Sequence, residues 1–101
     1  MTVPKAEVFE ALKQVYDPEI PADIVNLGLV YEVLVDDDRV VVKMTTTAAG
    51  CPVGNYIVAQ AKRVIERLEG VKEIYIELVY DPPWQESMIT EEGRRMLGWI
   101  S

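Results

Sequence analysis

The chain has 101 residues, half of them apolar and 27% charged, which suits one globular domain spanning 1–101 with a single core. Ten Lys and Arg against 17 Asp and Glu leave a net charge of −7, a field that repels phosphate backbones and anionic bilayers and so argues against nucleic-acid and membrane partners. With no His and one Cys, His-based acid–base chemistry, Ser-His-Asp and Cys-His arrangements, intrachain disulfides and Cys-x-x-Cys motifs are excluded.

The opening Met1-Thr2-Val3-Pro4-Lys5 carries no basic region followed by an apolar stretch, so no signal peptide is read there. No apolar run approaches the ~18 residues of a membrane span. A single free Cys without an export signal suits a reducing compartment, and the expected localisation is cytoplasmic.

Val8, Phe9, Leu12, Val15 and Tyr16 share one face of a helix predicted from about Pro4 to Tyr16, closed by Pro18. An ordered loop follows through Asn26-Leu27-Gly28, with Ile20, Ile24, Val25 and Leu27 seeking burial. Leu29 to Val35 reads as a strand with Leu29, Tyr31, Val33 and Val35 on one face. Asp36-Asp37-Asp38-Arg39 makes a hairpin turn. Val40 to Thr46 returns, with Val40, Val42 and Met44 inward and Val41, Lys43 and Thr45 opposite.

After the short Ala48–Pro52 loop, Val53, Ile57, Ala61, Val64, Ile65 and Leu68 form the stripe of a second, longer helix, ended by Gly70. Val71 to Tyr80 reads as a third strand, broken by Asp81-Pro82-Pro83-Trp84. Thr90 caps a last short helix whose acidic start and basic end suit the helix dipole. The order α-β-β-α-β-α defines an α/β two-layer sandwich, with helices on one face of a small mixed sheet and a right-handed crossover before the third strand. The partner of that third strand cannot be read from the pattern.

Four loops hold the residues able to do chemistry. Cys51 precedes Pro52 at the start of the long helix, where free N–H groups favour thiolate. It reads equally well as a small buried residue at a tight turn. Without a base, a cysteine hydrolase is disfavoured, which leaves metal or sulfur chemistry. One Cys cannot hold an iron–sulfur cluster that takes four protein ligands. Carboxylates of Glu19, Asp17 or Asp81 could add oxygen ligands, and two chains would supply two thiolates. Asp17 also reads as a cap on backbone amides after the helix. Asn26 reads mainly as a turn-closing side chain, and the threonines 45–47 as ordinary strand residues whose hydroxyls could donate to sulfur or an anion. Trp84 and Met88 either cap the core or face a partner.

In order and nearly throughout the chain, Asp17-Pro18-Glu19-Ile20-Pro21, Asp23 to Tyr31, Thr45-Thr46-Thr47 with Gly50-Cys51-Pro52, and Asp81-Pro82-Pro83-Trp84 resemble the metal–sulfur cluster assembly factors of the SufT and PaaD type. This small domain is also found in eukaryotic cytosolic iron–sulfur targeting factors. The resemblance implies an iron–sulfur-assembly-like α/β domain that acts as an accessory in maturing iron–sulfur proteins, not as an enzyme. Its cofactor would be transiently held iron or an iron–sulfur cluster. Its partners would be client or scaffold proteins, with a homodimer allowed.

The matching functional positions are Glu19, Asn26, Thr45, Thr47, Cys51, Asp81 and Trp84, with Cys51 foremost and Cys51 with Glu19 as metal ligands. Thr46 stands where the family often has a larger apolar residue. The C-terminal cysteines of some PaaD-type relatives are absent, which argues against a self-contained zinc or cluster site of that kind. Two alternatives compete: an adaptor in which Cys51 is structural, and a small-molecule enzyme, which the lack of His and of a Gly-rich nucleotide loop disfavours.

Overall fold

A computed structural model describes residues 3–18, 20–47 and 53–98. Its elements run α1 (Lys5–Leu12), β1 (Val30–Asp36), β2 (Arg39–Met44), α2 (Val53–Glu66), β3 (Glu73–Leu78), a 3-10 turn over Glu86–Met88 and α3 (Glu91–Met96). The sheet order is β1-β2-β3. β1 and β2 form an antiparallel hairpin, and β3 lies parallel to β2 on its other side. The mixed sheet is as expected, and β2 is the neighbour that the third strand takes.

Alternation decides which face of the sheet is inward. Val40, Val42 and Met44 are fully buried, and the register sets them opposite Ile74, Ile76 and Leu78 of β3. Val42 and Val40 also face Val33 and Val35 of β1. α1 packs on β1 and α2, and α2 on β3, closing this face. Ile57, Ala61, Val64 and Ile65 of α2 and Val8, Ala11 and Leu12 of α1 complete the core. Among the described residues the opposite face carries no helix.

Four local expectations change. α1 stops at Leu12, because Val15 to Asp17 turn back to pair with the following loop: Ile24 N–H donates to Val15 O at 2.9 Å and Asp17 N–H to Ala22 O at 3.2 Å. Tyr16 bridges Asp23 and is exposed rather than buried.

β1 begins at Val30, and a bulge falls between Val30 and Glu32. Val30 opposes Met44 and Glu32 opposes Lys43, so Tyr31 is the extra residue and leaves the inward row that strict alternation gives it. β3 is shorter than its apolar pattern, ending at Leu78, and Tyr80 is exposed beyond it. As an edge strand it leaves Ile74 and Ile76 only half-buried, and Leu68 beyond α2 is likewise half-buried. Thr45, just past β2, is fully buried although strict alternation sets it on the outer face, and its N–H donates to Leu29 O at 2.8 Å.

Candidate functional site

The topology brings the described parts of three of the four motifs to one end of the sheet. β2 and β3 run parallel, so Thr45–Thr47 and Val79–Trp84 leave from the same end. β1 runs the other way, so the loop ending in Leu29 enters there too, with Val30 opposite Met44. The carboxyl ends of parallel strands are the usual place for sites on α/β sheets. Hydrogen bonds stitch these exits together. Val79 N–H donates to Met44 O at 2.8 Å, and the Thr46 hydroxyl donates to the Tyr80 hydroxyl oxygen at 3.2 Å.

The loop from Asp23 to Gly28 is built around a buried polar cluster. Asp23 is 2% exposed and Asn26 7%. Asp23 Oδ2 accepts the Asn26 N–H at 3.0 Å and its Oδ1 accepts Asn26 Nδ2 at 2.8 Å. Asn26 Oδ1 in turn accepts from the Thr90 hydroxyl at 2.7 Å, and Thr90 Oγ1 accepts the Gly93 N–H at 3.0 Å as the cap of α3. The backbone repeats the link: Thr90 N–H donates to Asn26 O at 2.8 Å. Each amide, hydroxyl and carboxylate function is thereby paired, which is the condition under which a buried polar cluster stabilises.

The C-terminal segment is strapped over that loop. Trp84 Nε1 donates to Leu27 O at 2.7 Å, and the Tyr31 hydroxyl donates to Pro82 O at 2.8 Å with the Met88 sulfur 3.7 Å away. Trp84 packs against the core with its ring half-buried. Tyr31, which reaches the strap through its hydroxyl, is the bulged residue of β1. Gly28 sits at φ +78°, and a Cβ there would lie 2.4 Å from Met88 O, so the turn and the close approach both require glycine. A Cβ on Gly93 would lie 2.8 Å from Asn26 O. Asp81 precedes the strap through a cis peptide to Pro82 and is exposed.

The candidate residues thus divide. Asn26 and Trp84 are joined through Leu27, and Thr45 contacts the same loop through Leu29. Thr45 is fully buried, its hydroxyl 3.4 Å from Thr46 O, whereas Thr47 is half-buried. Asp81 stands on the exposed rim. Asp17 is buried and its Oδ1 accepts the Ile20 N–H at 2.9 Å, the backbone cap that its position after the helix suggests. Cys51 and Glu19 lie outside the described residues. In sequence, Cys51 falls four residues after Thr47 and two before Val53, the first residue of α2. Among the described residues, no group of three or more Asp or Glu is placed to hold a metal ion. Asp23, Thr90 and Tyr31 are the network members that the sequence did not single out for this loop; Thr90 had shown only its cap signature.

The fold defines a small mixed α/β domain whose loops gather at one end of a three-stranded sheet. Residues 5–76 match the iron–sulfur cluster assembly protein family. The "Fe-S protein maturation auxiliary factor SufT" of Staphylococcus aureus (strain USA300) is 44% identical, covering 83% of this chain and 97% of that protein. The "Fe-S protein maturation auxiliary factor YitW" of Bacillus subtilis (strain 168) is 40% identical, covering 93% of each. A crystal structure of a domain of unknown function, DUF59, from Bacillus anthracis superposes with a TM-score of 0.87 at 38% identity, over 93% of this chain and 91% of that one. The chain belongs to the iron–sulfur cluster assembly protein family, in agreement with the motifs read from its sequence.

Proposed function

We propose that this chain is an accessory factor in the maturation of iron–sulfur proteins, and that it works by offering the Cys51 thiolate to iron, to a cluster in transit or to a client. The observation that carries this reading is the match to the assembly family and to relatives named as maturation auxiliary factors over most of the chain. The geometry supports the choice of sheet end. In sequence Cys51 falls four residues after Thr47, and Thr45–Thr47, the Asp23–Leu29 loop and Asp81 gather at that end. Iron or a cluster is the cargo in this reading. One Cys and no His cannot supply the four ligands of a stable cluster, so any cluster held is shared with a second chain or the client. The partners are therefore iron–sulfur clients or scaffolds.

The protein's own residues play two roles. Asn26, Thr45 and Trp84 fix the loops around the sheet end through the hydrogen bonds given above. Thr47, Asp81 and Glu19 are the polar side chains assigned to the cargo beside Cys51, with Glu19 a hard oxygen ligand. Two residues ahead of α2 in sequence, a Cys51 thiolate would gain from free helix N–H groups and lose from any carboxylate sharing the cargo, whereas a divalent cation would offset such carboxylates and remove the thiol proton.

Alkylation of Cys51 tests this. The rate in the apo protein is expected to be ordinary and to fall strongly with ferrous iron under anaerobic conditions. Glu19→Gln should speed the apo reaction and weaken protection. If iron gives no protection and Glu19→Gln changes neither rate, Cys51 is not a ligand.

A further inference from the structure

We propose that the free edge of β3 is a docking site for an extended strand of a partner protein carrying a basic residue, three apolar residues and a second basic residue. This goes beyond the Cys51 reading and does not depend on it.

Among the described residues β3 ends the sheet, six residues long, with no bulge and no proline. Val79 N–H donates to Met44 O. In a parallel ladder this phase turns Glu73, Tyr75 and Glu77 toward β2 and leaves the N–H and C=O groups of Ile74 and Ile76 pointing out of the sheet. Natural edges of this length are blunted, covered or used. The β1 edge is broken by the Tyr31 bulge. The β3 edge is regular, and beside it runs a groove lined by Val58 and Lys62 of α2 with Ile74 and Ile76.

The uncovered face of the sheet specifies the occupant. Three rows cross it from β1 through β2 to β3: Glu32–Lys43–Glu77, Leu34–Val41–Tyr75 and Asp36–Arg39–Glu73. Both charged rows alternate negative, positive, negative. The middle row is apolar, with Leu34 45% and Tyr75 54% exposed. Arg39 Nε donates to Glu73 at 2.8 Å and its guanidinium lies 5.9 Å from the centre of the Tyr75 ring. A fourth strand continues the rows when it sets basic residues beside Glu73 and Glu77 and an apolar or aromatic one beside Tyr75. Its intervening residues turn into the groove and must be apolar to pack on Ile74, Ile76 and Val58. The pattern reads the same in both directions, so parallel and antiparallel docking both satisfy it.

A second copy is a poor occupant. Antiparallel pairing of β3 with itself about Tyr75 sets Glu73 against Glu77 twice, and like charges directly opposite destabilise a sheet. In that register the edge is guarded against its own copy, whereas its acidic rows are open to a basic strand.

The test titrates the full, isotope-labelled chain with a capped Ser-Lys-Val-Tyr-Val-Arg-Ser peptide and with the control Ser-Glu-Val-Tyr-Val-Glu-Ser. The basic peptide should bind about tenfold tighter at low salt, the gap narrowing as salt screens the rows. It should slow hydrogen exchange at the Ile74 and Ile76 amides and leave those of Tyr75 and Glu77 unchanged. Combined Glu73→Lys and Glu77→Lys should reverse the preference. Equal affinity for the two peptides, protection confined to β1 or the helices, or wild-type chains pairing with each other through β3 would overturn the proposal. The exchange pattern in the wild-type chain decides it even if the doubly substituted chain folds poorly.

Discussion

The loop from Asp23 to Gly28 and the loop from Asp81 to Trp84 meet at the same end of the sheet, yet they hold their polar groups in opposite ways. In the first, the carboxylate of Asp23 is buried, and both its oxygens are engaged by Asn26. In the second, Asp81 is exposed while its neighbour Trp84 turns inward to donate to Leu27 O. Carboxylates in similar motifs thus serve different ends. A buried, fully paired carboxylate fixes a loop, whereas an exposed one on the rim keeps its oxygens in solvent. Asn26, which motif matching places among the functional positions, is by its contacts the hub that ties the loop to α3.

That contrast predicts a ranking of substitutions, read by urea unfolding. Gly28→Ala should cost most, about 3 kcal/mol, since a Cβ meets Met88 O and the left-handed backbone is strained for alanine. Asn26→Ala should cost about 2–3 kcal/mol, because it removes the side-chain donor to the buried Asp23 Oδ1, while the backbone N–H still reaches Oδ2, and also removes the acceptor of the Thr90 hydroxyl. Trp84→Phe keeps most of the ring and removes one hydrogen bond, for about 1 kcal/mol. Asp81→Asn should change stability by less than about 0.5 kcal/mol, the usual size at an exposed site. A large loss for Asp81→Asn, or a small one for Asn26→Ala, would erase the distinction between the two loops.

The sequence showed the α2 stripe and the inward row of β2, because periodic burial repeats along each element. It also placed the Thr90 cap, which depends only on neighbours. It missed the bulge at Tyr31, since one inserted residue shifts the phase of a strand without changing its composition. It ran α1 on to Tyr16 because Val15 and Tyr16 continue the helical spacing, while the pairing of Val15 and Asp17 with residues 22–24 is a tertiary contest that spacing does not record. The Asn26–Thr90 bond joins residues 64 apart and leaves no local pattern. Leu68 was read as core, but it lies past the end of α2 and is half-buried. Its replacement by Ala should therefore fall at or below the low end of the ~2–5 kcal/mol range for core leucines. The chemistry of the Cys51 motif was legible only through residue type and family resemblance.

The role of Cys51 is decided by the ultraviolet–visible spectrum after anaerobic incubation with iron and sulfide, compared between the wild-type chain, Cys51→Ser and Asp81→Asn at matched folded fraction. Charge-transfer absorption that the wild type develops, that Cys51→Ser lacks and that Asp81→Asn only weakens is the result expected if Cys51 receives the cargo. Absorption unchanged in Cys51→Ser, or none in any chain while a client protein is still bound by Cys51→Ser, would contradict it and leave an adaptor in which Cys51 is structural.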